Sequence, residues 1–242
     1  MIRRTCDSTS PNILRPEPHL MNPRESTVVF LGPSLDPNEA AKNLRANYLP
    51  PIRRGDLPAA VANGARSIGI VDGEFGQSLA VSVMEVAAAL RQGVRIWGAA
   101  SMGALRAVEC QSLGMIGIGW IFQKYFEGFL EADDEVALLF DPLTYRATTI
   151  PLVNVRWAVE IAVETKTIPK AAAGGVIELA GKLRFTERTH ETLLQIACGS
   201  EFEPAMRTLI ELMKADLHGT DRKRLDALLL LKTMQESRSV IA

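Results

Sequence analysis

The chain has 242 residues, of which 47% are hydrophobic, and its formal net charge is −1. This length suits one large domain or a core domain with an appendage. No apolar run reaches the roughly 18 residues that a membrane helix needs, and the near-neutral charge gives no general attraction to nucleic acid or anionic membrane. We therefore expect a cytoplasmic protein with neither a nucleic acid nor a membrane as partner.

Cysteine and histidine usage argues against disulfide and zinc sites. Cys6, Cys110 and Cys198 are odd in number and widely separated, which favours a reducing compartment, and we expect Cys110 and Cys198 to lie in the core. No histidine or cysteine pair has zinc-ligand spacing. The acidic residues 133–135 are the remaining cation candidate, but such turns mostly face solvent. We expect no metal and no cofactor.

The first half of the chain alternates strands with helices. Residues 1–26 have no hydrophobic block and are predicted to form a flexible arm. Strands are predicted at residues 27–31, 67–71, 94–97 and within 133–140, and helices at residues 36–48, 56–61, 82–92, 101–114 and 120–126. Residues 49–56, with two prolines, form either an edge strand or a binding loop. The alternation predicts an α/β fold, a mainly parallel, Rossmann-like sheet with flanking helices.

The second half changes character and is predicted to be all helical. Its helices are predicted at residues 153–164, 169–183, 187–198, 203–215 and 222–236. We therefore predict three parts: an arm at 1–26, an α/β core domain at 27–145 and a helical C-terminal subdomain at 146–242.

Ser101 is the leading candidate for a catalytic residue. A strand passes through the small residues 98–100 directly into a helix, which places Ser101 at the carboxyl edge of the sheet beside a positive helix end. The pattern small-x-Ser-x-Gly matches a relaxed nucleophile elbow, in which the N–H of Met102 would hold the oxyanion. Alternatively, Ser101 only caps the helix and Gly103 only permits close packing.

Two carboxylates are predicted at the same edge. Asp72 and Glu74 follow the strand at residues 67–71 and are candidate catalytic partners of Ser101. The alternatives are a loop-capping aspartate and a solvated glutamate. A nucleophilic serine also needs a base, yet His19, His190 and His218 all lie outside the predicted α/β core.

Arginines complete the predicted substrate-binding set. Arg53 and Arg54 could present guanidinium groups to a carboxylate or phosphate. Arg106 could place positive charge near Ser101, or could pair with Glu109 three residues on. The predicted substrate-binding residues are Arg53, Arg54, Met102, Gly103 and Arg106.

Six segments, in this order, resemble the TfuA family: FLGPSL, PPIRRGDL, IVDGEFGQSLAVS, GAASMGALRAVEC, GMIGIG and ADDEVA. The similarity is strong over residues 27–142 and looser in the helical half. Members of this family accompany YcaO enzymes, which use ATP to activate a backbone amide of a ribosomally made peptide. The resemblance therefore implies a role in thioamide formation, most similar to the trifolitoxin-type pathway.

The resemblance implies three partners: a YcaO-type enzyme, a ribosomal precursor peptide and a sulfur carrier protein. In our first hypothesis this chain is a serine-type hydrolase that opens the carrier's terminal thiocarboxylate and releases sulfide. In the alternative it is a non-catalytic partner that docks on YcaO and activates it. The chain also departs from many relatives, because Val83 and Met84 stand where they carry histidine and lysine, and Phe140 where a histidine often occurs.

Overall fold

A five-stranded, all-parallel sheet organises the first half of the chain. The computed structural model describes residues 26–76 and 78–239, so Cys6 and all but the last residue of the predicted arm lie outside the described residues. The strands are β1 (Thr27–Phe30), β2 (Asn47–Leu49), β3 (Ser67–Ile70), β4 (Arg95–Gly98) and β5 (Ile116–Gly117), in the order β2-β1-β3-β4-β5. In this register Val28 pairs with Ile68, and Ile68 with Ile96.

Helices flank the sheet and then continue alone, which confirms the predicted fold class. The helices of the first half are α1 (Pro37–Asn43), α2 (Asp56–Ala62), α3 (Val83–Arg91), α4 (Met102–Cys110) and α5 (Gly119–Phe126). The helices that follow are α6 (Leu152–Glu164), α7 (Lys170–Lys182), α8 (His190–Ala197), α9 (Glu203–Ala215) and α10 (Arg222–Ser239). In the described part of the chain, no helix combines the length and apolar character needed to cross a membrane.

Two sequence predictions of local structure are wrong. The first predicted helix does not reach Tyr48, because Leu44 is already extended, and Tyr48 lies in the edge strand β2. The following Pro50 favours extended backbone just before it. The predicted strand within residues 133–140 is also absent: a 3₁₀ turn at Asp133–Glu135 leads into irregular chain, where Phe140 makes a single bridge to Ala147.

The two faces of the sheet are covered by different helices. Alternate strand residues such as Phe30 and Ile96 pack on the side of α2, α3 and α4, whereas Val29 and Trp97 pack with α1 and α10. The last helix thus returns to the sheet, while α6 to α9 form an apolar cluster of their own. The division into residues 27–145 and 146–242 stays a prediction.

Two glycines bring α4 directly against the sheet. A Cβ on Gly98 would lie 2.0 Å from the carbonyl oxygen of Gly103, and a Cβ on Gly103 would lie 1.8 Å from that of Ile70. The N–H of Gly103 donates to the carbonyl of Val71 at 3.2 Å. This close approach fixes the start of α4, and with it Ser101, at the carboxyl edge of the sheet.

Candidate functional site

A cavity opens where the chain order in the sheet reverses. In the sheet, β2 lies on one side of β1 and β3 lies on the other. A crevice therefore forms at the carboxyl ends of β1 and β3. The cavity there measures about 230 Å³. It is lined by Pro33, Pro51, Asp72, Gly73, Glu74, Phe75, Ser101, Val136, Ala137, Leu138, Phe140, Phe185 and Lys223.

Ser101 reaches this cavity from a strained turn. Ala100 has a φ of 64°, and the N–H of Ser101 donates back to the carbonyl of Ala99 at 2.8 Å, which makes a γ-turn centred on Ala100. A left-handed alanine costs about 1–2 kcal/mol. Although Ser101 directly precedes α4, its side chain accepts no capping hydrogen bond from the first turn of that helix. Ser101 instead lines the cavity.

The first turn of α4 leaves a donor next to Ser101. The N–H groups of Gly103, Ala104 and Leu105 are all bonded to carbonyls. Among the described residues, the N–H of Met102 has no acceptor, as expected for the first residue of a helix. Because the helix dipole adds positive potential here, this N–H is suited to stabilise negative charge beside the Ser101 hydroxyl.

Lys223, which the sequence analysis missed, lies in the same cavity. Only 2% of its surface is exposed, and its Nζ donates to the carbonyl of Val136 at 3.0 Å. Burial lowers the pKa of Lys223, although the negative charges of Asp72 and Asp221 oppose that shift. An amine with a lowered pKa can accept a proton from a serine hydroxyl, so Lys223 is the candidate base that the histidines do not provide.

Asp72 joins two strand ends and faces the lysine. Its Oδ2 accepts from the N–H groups of Gly32 at 2.9 Å and Ser34 at 3.0 Å, and its Oδ1 accepts from the Ser34 hydroxyl at 2.6 Å. The same Oδ1 lies 3.9 Å from Nζ of Lys223. Asp72 therefore ties the loop after β1 to the end of β3 and is the counterion of the buried amine.

Glu74 and Arg53 pair with each other at the cavity. Glu74 lines the cavity and forms an ion pair with Arg53, whose side chain is 38% exposed. The N–H of Arg53 donates to Asp56 at 2.8 Å, and that of the exposed Arg54 donates to the carbonyl of Leu79 at 2.7 Å. Residues 52–54 thus form a loop next to β2, in which Ile52 makes an isolated parallel bridge to Gly73, rather than a strand of their own.

A family model described as TfuA-like protein matches residues 72–189. The chain belongs to the TfuA family. TfuA-like proteins are associated in general with YcaO systems and thioamidation. No curated protein matches the sequence. The matched range includes Asp72 and Ser101 but ends before α10, so Lys223 lies outside it.

Several predicted residues of this TfuA-family chain lie away from the cavity or are buried beside it. Arg106 does not line the cavity, because its Nε donates to the carbonyl of Val81 at 2.7 Å and it pairs with Glu109. Met102 and Gly103 are buried at the start of α4. Arg54 is exposed and does not line the cavity.

The burial of the side chains tests the predictions for the cysteines and for the acidic turn. Cys110 is buried as predicted, and burial raises the pKa of its thiol, but the prediction that Cys198 lies in the core is wrong, because it is exposed. In the acidic turn, Glu135 is buried and accepts three hydrogen bonds from Arg156. No group of three or more potential metal-binding side chains occurs in the described parts of the chain.

The two positions where relatives often carry histidine differ in location. Phe140 lines the cavity, together with Phe185 and Leu138, so this part of the wall is apolar in this TfuA-family chain. Val83, at the other position, begins α3, packs half-buried against the core and does not line that cavity.

Proposed function

We propose that this chain hydrolyses the terminal thiocarboxylate of a sulfur carrier protein and so releases sulfide for YcaO-dependent thioamidation. The observation that supports this most is that Ser101 and Lys223 line one cavity at the edge of the sheet. A nucleophile and a buried base with lowered pKa are the two groups that acyl hydrolysis requires. A donor for the oxyanion lies beside them in the N–H of Met102.

The first half of the proposed reaction makes an acyl-enzyme. Neutral Lys223 accepts the proton of Ser101 as its Oγ bonds to the carbonyl carbon of the thiocarboxylate. The N–H of Met102 stabilises the negative oxygen that forms. Lys223 then returns the proton to sulfur as the carbon–sulfur bond breaks, hydrosulfide leaves, and the carrier tail remains esterified to Ser101.

The second half regenerates the enzyme. Lys223 takes a proton from water, the hydroxide oxygen bonds to the acyl carbon, and the ester bond to Ser101 breaks as the proton passes to its oxygen. Overall, one water converts thiocarboxylate to carboxylate, and the sulfur leaves as hydrogen sulfide or its anion. No oxidant or reductant is required.

The dimensions of the cavity favour a chain terminus as substrate. Its volume of about 230 Å³ is below the range typical of pockets that bind drug-sized ligands. The narrow C-terminal tail of a carrier would therefore enter the cavity, while the folded domain of the carrier stays outside. We propose that Arg53 and Arg54 guide this tail, since both lie on the loop next to the Glu74 side of the cavity. Glu74 and Asp72 then hold Arg53 and Lys223, respectively, rather than acting as bases.

Sulfide release from a thiocarboxylated carrier tests the proposal. Ser101→Ala and Lys223→Met are each expected to lower the rate at least about a hundredfold, the usual scale for loss of acid–base catalysis. Glu109→Gln is the matched control, because Glu109 lies on α4 outside the cavity and its loss is expected to leave the rate near that of the wild type.

Two results would contradict hydrolysis. One is wild-type release no faster than in buffer, and the other is equal release by Ser101→Ala. Thioamidation by a YcaO enzyme that still requires the Ser101→Ala protein when sulfide is supplied directly would then favour the docking role.

A further inference from the structure

The first turn of α10 is held by a side chain from another helix. Asn154 of α6 is buried, and its Oδ1 accepts from the N–H groups of Arg222 at 3.0 Å and Lys223 at 3.3 Å. Its Nδ2 donates to Oδ1 of Asp221 at 3.0 Å, which also accepts from the N–H of Arg224 at 3.1 Å. These bonds satisfy the N–H groups that a helix start leaves without partners.

Helix α6 also fixes the backbone carbonyl that accepts a hydrogen bond from the Lys223 amine. Arg156 donates to Glu135 at 2.9 Å and 2.7 Å, and Glu135 directly precedes Val136, whose carbonyl accepts from Nζ of Lys223. Trp157 donates from Nε1 to the carbonyl of Gly219 at 2.8 Å, just before α10. Helix α6 therefore holds both the backbone from which the lysine side chain begins and the carbonyl that receives its amine.

We propose that Asn154 is a positioning residue for Lys223, holding the start of α10 where the amine reaches the cavity. The proposal rests on the proposed function for its catalytic consequence. Asp221 already caps α10 from within the local sequence, so helix formation alone does not need an amide from α6. What Asn154 adds is the link between the two helices. Because Lys223 is buried along its length, a shift of its backbone displaces its amine.

Steady-state hydrolysis separates positioning from simple stability. Asn154→Ala is expected to lower kcat roughly ten- to hundredfold, the scale for misplacing a catalytic group by about 1 Å, with KM changed less than about threefold. Thr189→Ala is the control, since it removes a side chain that caps α8 from within that helix's own sequence and does not line the cavity. All variants are compared at one temperature below their lowest Tm.

The titration of Lys223 gives a readout that does not depend on hydrolysis. The εCH₂ signal of Lys223 in the ¹³C-lysine-labelled full chain, assigned by its loss in Lys223→Met, reports the pKa. The charged groups that face the amine are Asp72 and Asp221, with the Glu135–Arg156 pair next to Val136. In Asn154→Ala the pKa is expected to rise, because water reaches an amine whose pKa burial lowers.

The two readouts distinguish the failure of this inference from failure of the proposed function. If the wild type releases no sulfide, the proposed function fails, and the titration still decides whether Asn154 positions the amine. A rise in the Lys223 pKa in Asn154→Ala but not in Thr189→Ala supports the inference. An unchanged pKa overturns it, as does a wild-type kcat in Asn154→Ala.

Discussion

Removing the charge of Asp72 should shift the pH dependence of hydrolysis to lower pH. Asn at this position can keep the local hydrogen bonds, because its carbonyl oxygen can replace Oδ2 as acceptor for the N–H groups of Gly32 and Ser34. Its NH₂ group then replaces Oδ1, and the Ser34 hydroxyl can accept from it instead of donating. Asp72→Asn therefore removes a negative charge without removing the connection between the strand ends.

The magnitude follows from the separation of the two charges. Nζ of Lys223 lies 3.9 Å from Oδ1 of Asp72, and two unit charges at about 4 Å interact by about 4 kcal/mol at an effective dielectric constant of about 20. At about 1.36 kcal/mol per pKa unit, this sets an upper bound of about three units. Because three N–H and O–H donors already share the carboxylate charge, we expect a fall of about one unit or more in the pKa of Lys223.

The assay is the pH profile of kcat/KM for sulfide release. Neutral Lys223 is the active form, so the acidic limb of the profile should move to lower pH in Asp72→Asn. Glu109→Gln removes the same charge outside the cavity and should leave the midpoint in place. A midpoint in Asp72→Asn that stays at the wild-type value, or rises, would refute the assignment of Lys223 as the base.

Two further predictions concern stability. Gly103→Ala should lower the free energy of unfolding by about 1–3 kcal/mol or more, because the new Cβ would lie 1.8 Å from the carbonyl oxygen of Ile70. Gly174→Ala, with no atom within 4 Å of its Cβ, should instead raise the free energy of unfolding by about 1 kcal/mol. Chemical denaturation measures both changes, and equal effects would contradict the packing argument. Burial acts to raise the pKa of Glu85, but hydrogen bonds, including one from the N–H of Ser82, outweigh it and lower the pKa. The stability from this capping box is therefore present at neutral pH and lost as pH falls through the folded-state pKa. Glu85→Gln should thus cost about 1 kcal/mol at pH 7 and progressively less as the pH falls through that lowered pKa; a cost independent of pH would be the contrary result.

The part of the site that depends on strand ends could be predicted from the sequence. Asp72, Glu74 and Ser101 each follow a buried strand, and parallel strands bring their carboxyl ends to one edge of a sheet. All three line the cavity. The glycine pattern around Ser101 also indicated close strand–helix packing, which the contacts of Gly98 and Gly103 confirm.

The remainder of the site depends on tertiary packing and could not be predicted in the same way. Lys223 belongs to a helix of the second half, and it is flanked in sequence by Arg222 and Arg224, a pattern typical of a solvated helix start. A signal was nevertheless present, because Lys223, Ala227, Leu230 and Met234 follow the spacing of one helix face, and all four are buried. The apolar residues 136–140 similarly predict a strand, whereas Val136 to Leu138 and Phe140 form part of the cavity wall.

The surroundings of Lys223 explain how a buried lysine can remain usable as a base. A carboxylate in direct contact would stabilise the ammonium form and remove the base at neutral pH. Here the nearest oxygen of Asp72 is 3.9 Å away and is bonded to Ser34, and the amine donates to a neutral carbonyl at 3.0 Å. The desolvation of the amine therefore outweighs the attraction of the carboxylates, and the pKa of Lys223 falls. Asp72 limits that fall and keeps the protonated form accessible. Since the proposed reaction needs both protonation states in turn, a carboxylate held at this distance serves it better than either a direct ion pair or none.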